Sequence, residues 1–275
     1  MAHGTDILEL ANGLKARGEA FAMATVVRTV AATAAKAGAK ALIRADGSIS
    51  AGWIGGGCAR GAVLRAAREA LADGQARLVS VQPMDVLAEQ GLRPGDDRDG
   101  IKFARNMCPS HGTMDVFVEP VLPRPCVLVC GASPVAVAVA ELAARFGFSV
   151  AIAAPADDQS RFAGADLRLD GFDLAGLPPG TAFAVVATQG RGDEAALRAA
   201  VGAVAGYVAF VGSHRKAASL REALAADGAE PASLARVRAP AGLDIGAVTP
   251  EEIALSIVAE MVEVRRRGQK VVAEP

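Results

Sequence analysis

Apolar residues recur at helical spacing over residues 7–17, which predicts an amphipathic opening helix. The pattern then changes, and Ala22 to Val30, with its Thr25-Val26-Val27 core of β-branched residues, reads as a strand. Ala39 to Arg44 and Ser48 to Trp53 flank Asp46-Gly47, a dipeptide suited to a tight hairpin turn. After Gly55-Gly56-Gly57-Cys58 the helical spacing returns through Val63, Leu64, Ala67 and Leu71, and it stops at Gly74. Pro83 to Asn106 is rich in Asp, Gly and Arg without a strong period and predicts a long exposed loop. Thr113 to Leu122 resumes as a strand.

The segment Leu122-Pro123-Arg124-Pro125 disfavours both helix and strand, so it marks a boundary between domains 1–123 and 124–275. Beyond it, apolar strand-like runs (Cys126 to Cys130, Val150 to Ala154, Phe183 to Ala187, Val208 to Val211) alternate with helical segments (Pro134 to Phe146, Glu194 to Val204, Ala217 to Ala226, Glu251 to Arg266). Continuous apolar strands buried on both faces, each followed by a helix, predict a parallel sheet covered on both sides. The expected fold is α/β: an N-terminal α+β domain and a C-terminal Rossmann-like, doubly wound parallel sheet.

Composition narrows the function classes. Apolar residues make up 52% of the 275-residue chain, but charges and glycines interrupt the apolar runs before they reach membrane-spanning length. The start, Met1 to Asp6, lacks the basic and apolar regions of a secretory signal, and four cysteines do not make a disulfide scaffold, so a reducing cytoplasm is expected. Lys and Arg number 29 against 30 Asp and Glu, which leaves no global positive field for nucleic acid. One Trp and one Tyr offer little for base stacking. The run Arg265-Arg266-Arg267 suits the end of a helix, where cations complement the dipole.

In a Rossmann domain the turn after the first strand brings backbone amides to a pyrophosphate at a helix N-terminus. Here it reads Gly131-Ala132-Ser133-Pro134-Val135-Ala136: the first glycine is kept, but Ser133 and Ala136 stand where the second and third belong. The second strand ends Ala153-Ala154-Pro155, with Asp157 and Asp158 only later, so the ribose-binding carboxylate is also missing from its place. Both departures argue against tight NAD(P) binding. Ser133 and Pro134 equally suit a plain helix start, so anion site and bare structure both remain open here.

Cys58 follows three glycines at the opening of a helix, where exposed amides and the dipole favour a thiolate. Such a thiolate is a soft ligand for molybdenum or a carrier of sulfur, while Gly55, Gly56 and Gly57 bring amides to a phosphate or pterin; packing beneath the helix is the bland alternative. Cys108, in a loop ending in His111 and Gly112, is the second candidate thiol and metal ligand, although Cys108 and His111 fall short of a zinc site's four ligands. Cys126 and Cys130 share one face of a strand and read as core. Gly212-Ser213-His214-Arg215-Lys216 ends a strand in small residues and opens a helix with cations, which suits phosphate or carboxylate capture or an ordinary turn.

Near the C-terminus, Thr249, Pro250 and Glu252 make a capping box before an apolar helix, but nothing local explains the preceding Gly242-Leu243-Asp244-Ile245-Gly246. That segment resembles the closing signature of the XdhC/CoxI family of molybdenum hydroxylase accessory proteins. The resemblance extends to Thr25 to Thr29, the Gly-Gly-Cys element at Gly56 to Cys58, Cys108, Glu119-Pro120, the Rossmann-like half and Gly212 to Lys216. The chain departs at Arg60, where relatives commonly carry Glu, and in its Gly131 turn, features similar to a divergent, CoxF-like branch.

The resemblance implies an accessory chaperone that binds molybdenum cofactor, as molybdopterin or its dinucleotide form, and assists its sulfuration and insertion into xanthine dehydrogenase or carbon monoxide dehydrogenase. Its implied partners are the large chain of the apo-hydroxylase, a sulfur-donating cysteine desulfurase and a second copy of the chain. The implied binding residues are Gly55, Gly56, Gly57, Cys58, Cys108, Gly131, Ser133, Gly212, Ser213, Arg215 and Lys216, with Cys58 and Cys108 as metal ligands. An NAD(P)-dependent oxidoreductase is the alternative.

Overall fold

The computed structural model describes residues 7–108, 111–204 and 206–271, and of Cys58 and residues 268–271 it describes the backbone alone. Of the described residues, 7–123 form one compact unit, and Arg124 to Lys270 form a second.

The first unit runs α1 (Ile7–Ala16), β1 (Phe21–Val30), β2 (Lys40–Arg44), β3 (Ile49–Gly52), α2 (Gly57–Asp73), β4 (Arg77–Gln82), α3 (Met84–Glu89), β5 (Asp97–Arg98), β6 (Ile101–Arg105) and β7 (Thr113–Val121). Its strands make one seven-stranded sheet in the order β3-β2-β1-β7-β4-β6-β5. All neighbours are antiparallel except β4 and β6. Alternation along the strands sends Ala24, Val26, Val79, Val81 and Val116 to one face, where α2 covers them with Val63, Ala66, Ala67 and Ala70. Alanine at the contact lets the helix lie close to the sheet. Phe21 and Leu42 point the other way and receive Leu14 of α1.

The stretch from Pro83 to Asn106 is not the long loop its composition predicts: it holds α3, β5 and β6. Buried Leu87, Leu92 and Phe103 make a small cluster of their own, and β6 gains a ladder by pairing parallel to β4. Ordering comes from these tertiary contacts, which compensate for a weak local pattern.

The second unit runs β8 (Cys126–Cys130), α4 (Pro134–Arg145), β9 (Ser149–Ala154), a 3-10 turn (Ala156–Arg161), β10 (Leu167–Asp170), β11 (Phe183–Val186), α5 (Asp193–Ala203), β12 (Tyr207–Phe210), α6 (His214–Ala226), α7 (Pro231–Ala235), β13 (Val237–Arg238) and α8 (Pro250–Val271). Six parallel strands lie in the order β10-β9-β8-β11-β12-β13. α4 and α8 pack on one face, and α5, α6 and α7 on the other. This is the Rossmann order, with β8 and β11 flanking the point where the winding reverses. The helix α8 runs on past Arg265-Arg266-Arg267, so that run does not close it. Arg265 instead sets its guanidinium 4.6 Å from the centre of the Phe148 ring, and burial lowers its pKa. Among the described residues, no helix is long and apolar enough to cross a membrane.

Candidate functional site

The glycine turn before α2 and the Cys108 loop, roughly fifty residues apart in sequence, line one cavity of about 430 Å³ in the first unit. Gly55, Gly56 and Gly57 form one wall and Asn106, Met107 and Cys108 another, with Thr33, Ala34 and Met114 among the remaining lining residues. The volume lies within the roughly 300–1,000 Å³ typical of small-molecule sites. Gly55 and Gly57 have φ of +100° and +52°, a conformation that costs a side chain energy and that three successive glycines accommodate.

The N-terminus of α2 differs from those of α4 and α6. Gly56 is its N-cap, and no side chain caps it. By contrast, the Ser133 hydroxyl accepts from the Ala136 amide at the start of α4, and Ser213 does the same for the Lys216 amide on α6. The positive end of the α2 dipole therefore meets the cavity without a built-in acceptor. Cys58 is the second residue of this helix, and its side chain lies outside the described residues.

The Cys108 backbone is held by a residue to which the sequence pattern draws no notice. Asn106 accepts from the Cys108 amide at 2.9 Å through Oδ1 and donates to the Gly112 carbonyl at 2.6 Å through Nδ2, spanning the loop. Gly112 in turn sits against the segment after β1, where a Cβ would lie 2.2 Å from the Ala32 carbonyl oxygen. The exposed Cys108 thus rests on a loop fastened at both ends. Among the described residues, no group of three or more His, Cys, Asp and Glu side chains is arranged to hold a metal ion.

In the second unit, Gly131 and Ser133 line a separate cavity of about 420 Å³ at the switch point, together with Thr188, Arg161 and Arg191. Gly131 has φ of +99°, and a Cβ there would fall 2.7 Å from the Thr188 Cα, so close strand packing fixes this glycine. The Arg161 guanidinium donates to the Ala132 carbonyl, crossing the turn at which a pyrophosphate would sit. Buried Cys130 is core: burial pushes its thiol up to about 12.

Gly212, Ser213, Arg215 and Lys216 line neither of these cavities. A Cβ on Gly212 would lie 2.4 Å from the Phe210 ring, and Lys216 pairs with Asp193 at the start of α5. Burial pushes the Asp193 carboxyl up, but hydrogen bonds from Lys216, Thr188 and the Gly190 amide outweigh it and hold the group below the usual carboxylate range.

The structure also accounts for Gly242 in the C-terminal segment. A Cβ on Gly242 would sit 2.2 Å from the Ser256 Oγ, and the Gly242 amide donates to the buried Glu260 carboxylate at 3.0 Å. Glu260 also accepts from Tyr207 at 2.6 Å and pairs with Arg238 at 2.7 Å, so one buried carboxylate ties the loop, β12 and β13 to α8. The capping box forms: Glu252 accepts from the Val248 and Thr249 amides, and the Glu252 amide donates to Thr249 Oγ1.

A Rossmann unit with a degraded nucleotide turn, carried with a mixed-sheet unit that gathers a glycine turn and a cysteine loop, defines the class. Residues 127–261 match the XdhC Rossmann domain and residues 14–82 match the XdhC and CoxI family. The chain belongs to the XdhC and CoxI family.

YqeB of Escherichia coli (strain K12), described as uncharacterized, is 28% identical over 90% of this chain and 44% of its own length. A Bacillus subtilis (strain 168) protein described as a probable xanthine dehydrogenase subunit is 34% identical over 56% of this chain and 47% of its own. The chain spans less than half the length of either relative. A crystal structure of a Bacillus halodurans protein described as a xanthine dehydrogenase covers 94% of this chain and 96% of its own, at 20% identity and a TM-score of 0.47.

Proposed function

We propose that this protein is a maturation factor for a molybdenum hydroxylase of the xanthine dehydrogenase type, and that it carries molybdopterin-type cofactor as cargo in the cavity of Gly55, Gly56, Gly57 and Cys108. Family membership supports the maturation role, and the Bacillus subtilis relative, with its probable place in xanthine dehydrogenase, supports the choice of hydroxylase. The observation that carries the cargo site is that the uncapped start of α2 and the Cys108 loop line one cavity of suitable size. Amides and a helix dipole suit an anionic ligand, and a thiol suits molybdenum or sulfur. Cys58, in the first turn of α2, is proposed as the second thiol of the site.

In this reading the chain's own residues bind and orient, and no turnover is required of them. Cys108 is presented by Asn106, the α2 amides face the ligand's negative charge, and Met107 and Met114 supply apolar, polarisable walls. The bound cofactor supplies its own metal and dithiolene chemistry. Sulfuration through a desulfurase, service to carbon monoxide dehydrogenase and assembly of two copies belong to the same proposal. The Rossmann unit is assigned no nicotinamide chemistry, a reading supported by Ser133 in the glycine turn and by Arg161 across it.

The test is activation of cofactor-free xanthine dehydrogenase. Protein purified without oxygen from cells that make the cofactor is expected to restore hydroxylase activity, and protein from cells unable to make the pterin is expected not to. Equal activation by both preparations would remove cofactor delivery from the account.

A further inference from the structure

Met107 lines both the cavity of the first unit and an open groove of about 570 Å³ between α2 and β6. Both spaces follow the same two elements. Gly57 and Ala59, from the first turn of α2, face the cavity, and Gly61, Ala62 and Arg65, from the turns that follow, face the groove. On the other side Asn106 and Cys108 face the cavity, whereas Ala104 and Arg105, just before them in the chain, face the groove.

Charge divides sharply along this path. No Asp, Glu, Lys or Arg among the described residues lines the cavity. The groove carries Arg65, Lys102, Arg105 and Glu69. Glu69 is already engaged by Lys102 and Arg77, and Arg65 and Arg105 have no carboxylate partner among the described residues. Two unneutralised guanidinium groups on one open groove form a receptor for an oxyanion, because the planar fork matches phosphate and carboxylate geometry. A glycine and an alanine on the facing turn of α2 leave room for it.

We infer that the groove of Arg65 and Arg105 is the phosphate subsite of the adjoining cavity. A ligand with an anionic, sulfur-bearing head at the α2 amides and a phosphate ester tail in the groove would span Met107. This inference rests on the cofactor reading above and extends it: the cargo is recognised at both ends, and its phosphate is held by side chains rather than by helix amides. The phosphate of a pterin monophosphate and the nearer phosphate of a dinucleotide share this chemistry.

The probe is the oxidised, metal-free fluorescent pterin released from molybdenum cofactor, used as its phosphate ester and after phosphatase treatment. Wild-type protein is expected to bind the ester about tenfold more tightly than the dephosphorylated pterin, as loss of a charge-assisted contact predicts. The Arg65→Ala/Arg105→Ala double variant is expected to lose that preference while binding the dephosphorylated pterin as wild type does. Both side chains are exposed, so the variant should fold, and its circular dichroism checks this.

In parallel, inorganic phosphate is expected to shift the guanidinium N–H resonances of Arg65 and Arg105. Equal wild-type affinity for the two pterins overturns the groove assignment and leaves the cavity reading standing. Failure of both pterins, with the phosphate shifts present, sinks the cavity reading and supports the groove. Loss of both the ester preference and the phosphate shifts sinks the inference.

Discussion

Lys216 at the start of α6 reaches across to Asp193 at the start of α5 and forms an ion pair with its buried carboxylate. A cation that reads in sequence as an anion-capture residue is thereby committed to holding two helix N-termini together. Lys216→Ala leaves that carboxylate with Thr188 and the Gly190 amide, and is expected to lower stability by about 1–2 kcal/mol in urea unfolding. Cofactor retention should be unchanged, since Lys216 lies outside the proposed cargo cavity.

Asp73 and Asp193 are among the carboxyls whose lowered pKa values contribute to stability towards acid. Hydrogen bonding from Arg77 lowers the Asp73 pKa against the opposing effect of burial; Asp193 is lowered by hydrogen bonds that outweigh its own burial. A carboxyl with a lower pKa folded than unfolded binds fewer protons in the folded state, so its contribution is full above the ordinary carboxylate range. It is lost as pH falls through the depressed folded values. Thermal midpoints measured from pH 7 downwards should stay level until the carboxylate range and then fall, and Asp193→Asn should flatten part of that fall. A decline beginning at neutral pH would point to other groups.

Gly242 is held at φ +91° with Ser256 directly against it. Gly242→Ala must move the loop or α8 and accept a strained backbone, and is expected to destabilise by about 2 kcal/mol or more in thermal or urea unfolding. Gly56→Ala is the control: its φ is −105°, and a Cβ there meets nothing within 4 Å. That variant should differ from wild type by less than about 0.5 kcal/mol.

Asn106 is a positioning residue for Cys108. Removing its amide in Asn106→Ala should cost about 1 kcal/mol of stability and speed exchange of the Cys108 amide that Asn106 accepts from, with exchange in α2 unaffected. Unchanged exchange at Cys108 would show that the loop is held by other contacts.

The Rossmann half is legible in the chain because its signals are local: apolar runs, each followed by a helix, with Ser133 and Ser213 at helix starts. β6 is not, because Ile101 to Arg105 becomes a strand only by pairing with β4, and β13 is two residues long. The site is legible in pieces. Gly55 to Gly57 and Cys108 each carry a chemical signal, but their convergence on one cavity depends on where α2 lies on the sheet, which no spacing encodes. Asn106, Gly112 and Met114 gain meaning only from that convergence. The turn at Gly212 leaves anion capture and an ordinary turn both open in sequence, because Asp193, the partner of Lys216, comes from a different helix start.

The cavity of Gly55, Gly56, Gly57 and Cys108 is proposed to hold molybdenum cofactor. The most direct measurement is the pterin and molybdenum content of protein purified without oxygen from cofactor-producing cells, for wild type, Cys108→Ala and Gly56→Phe. Gly56 lines the cavity in a backbone conformation open to any residue, so Gly56→Phe should fold while occupying the ligand's space. Near-stoichiometric pterin is expected on wild type, several-fold less on Cys108→Ala and little on Gly56→Phe. Equal pterin on all three, or none on wild type, would contradict the proposed site.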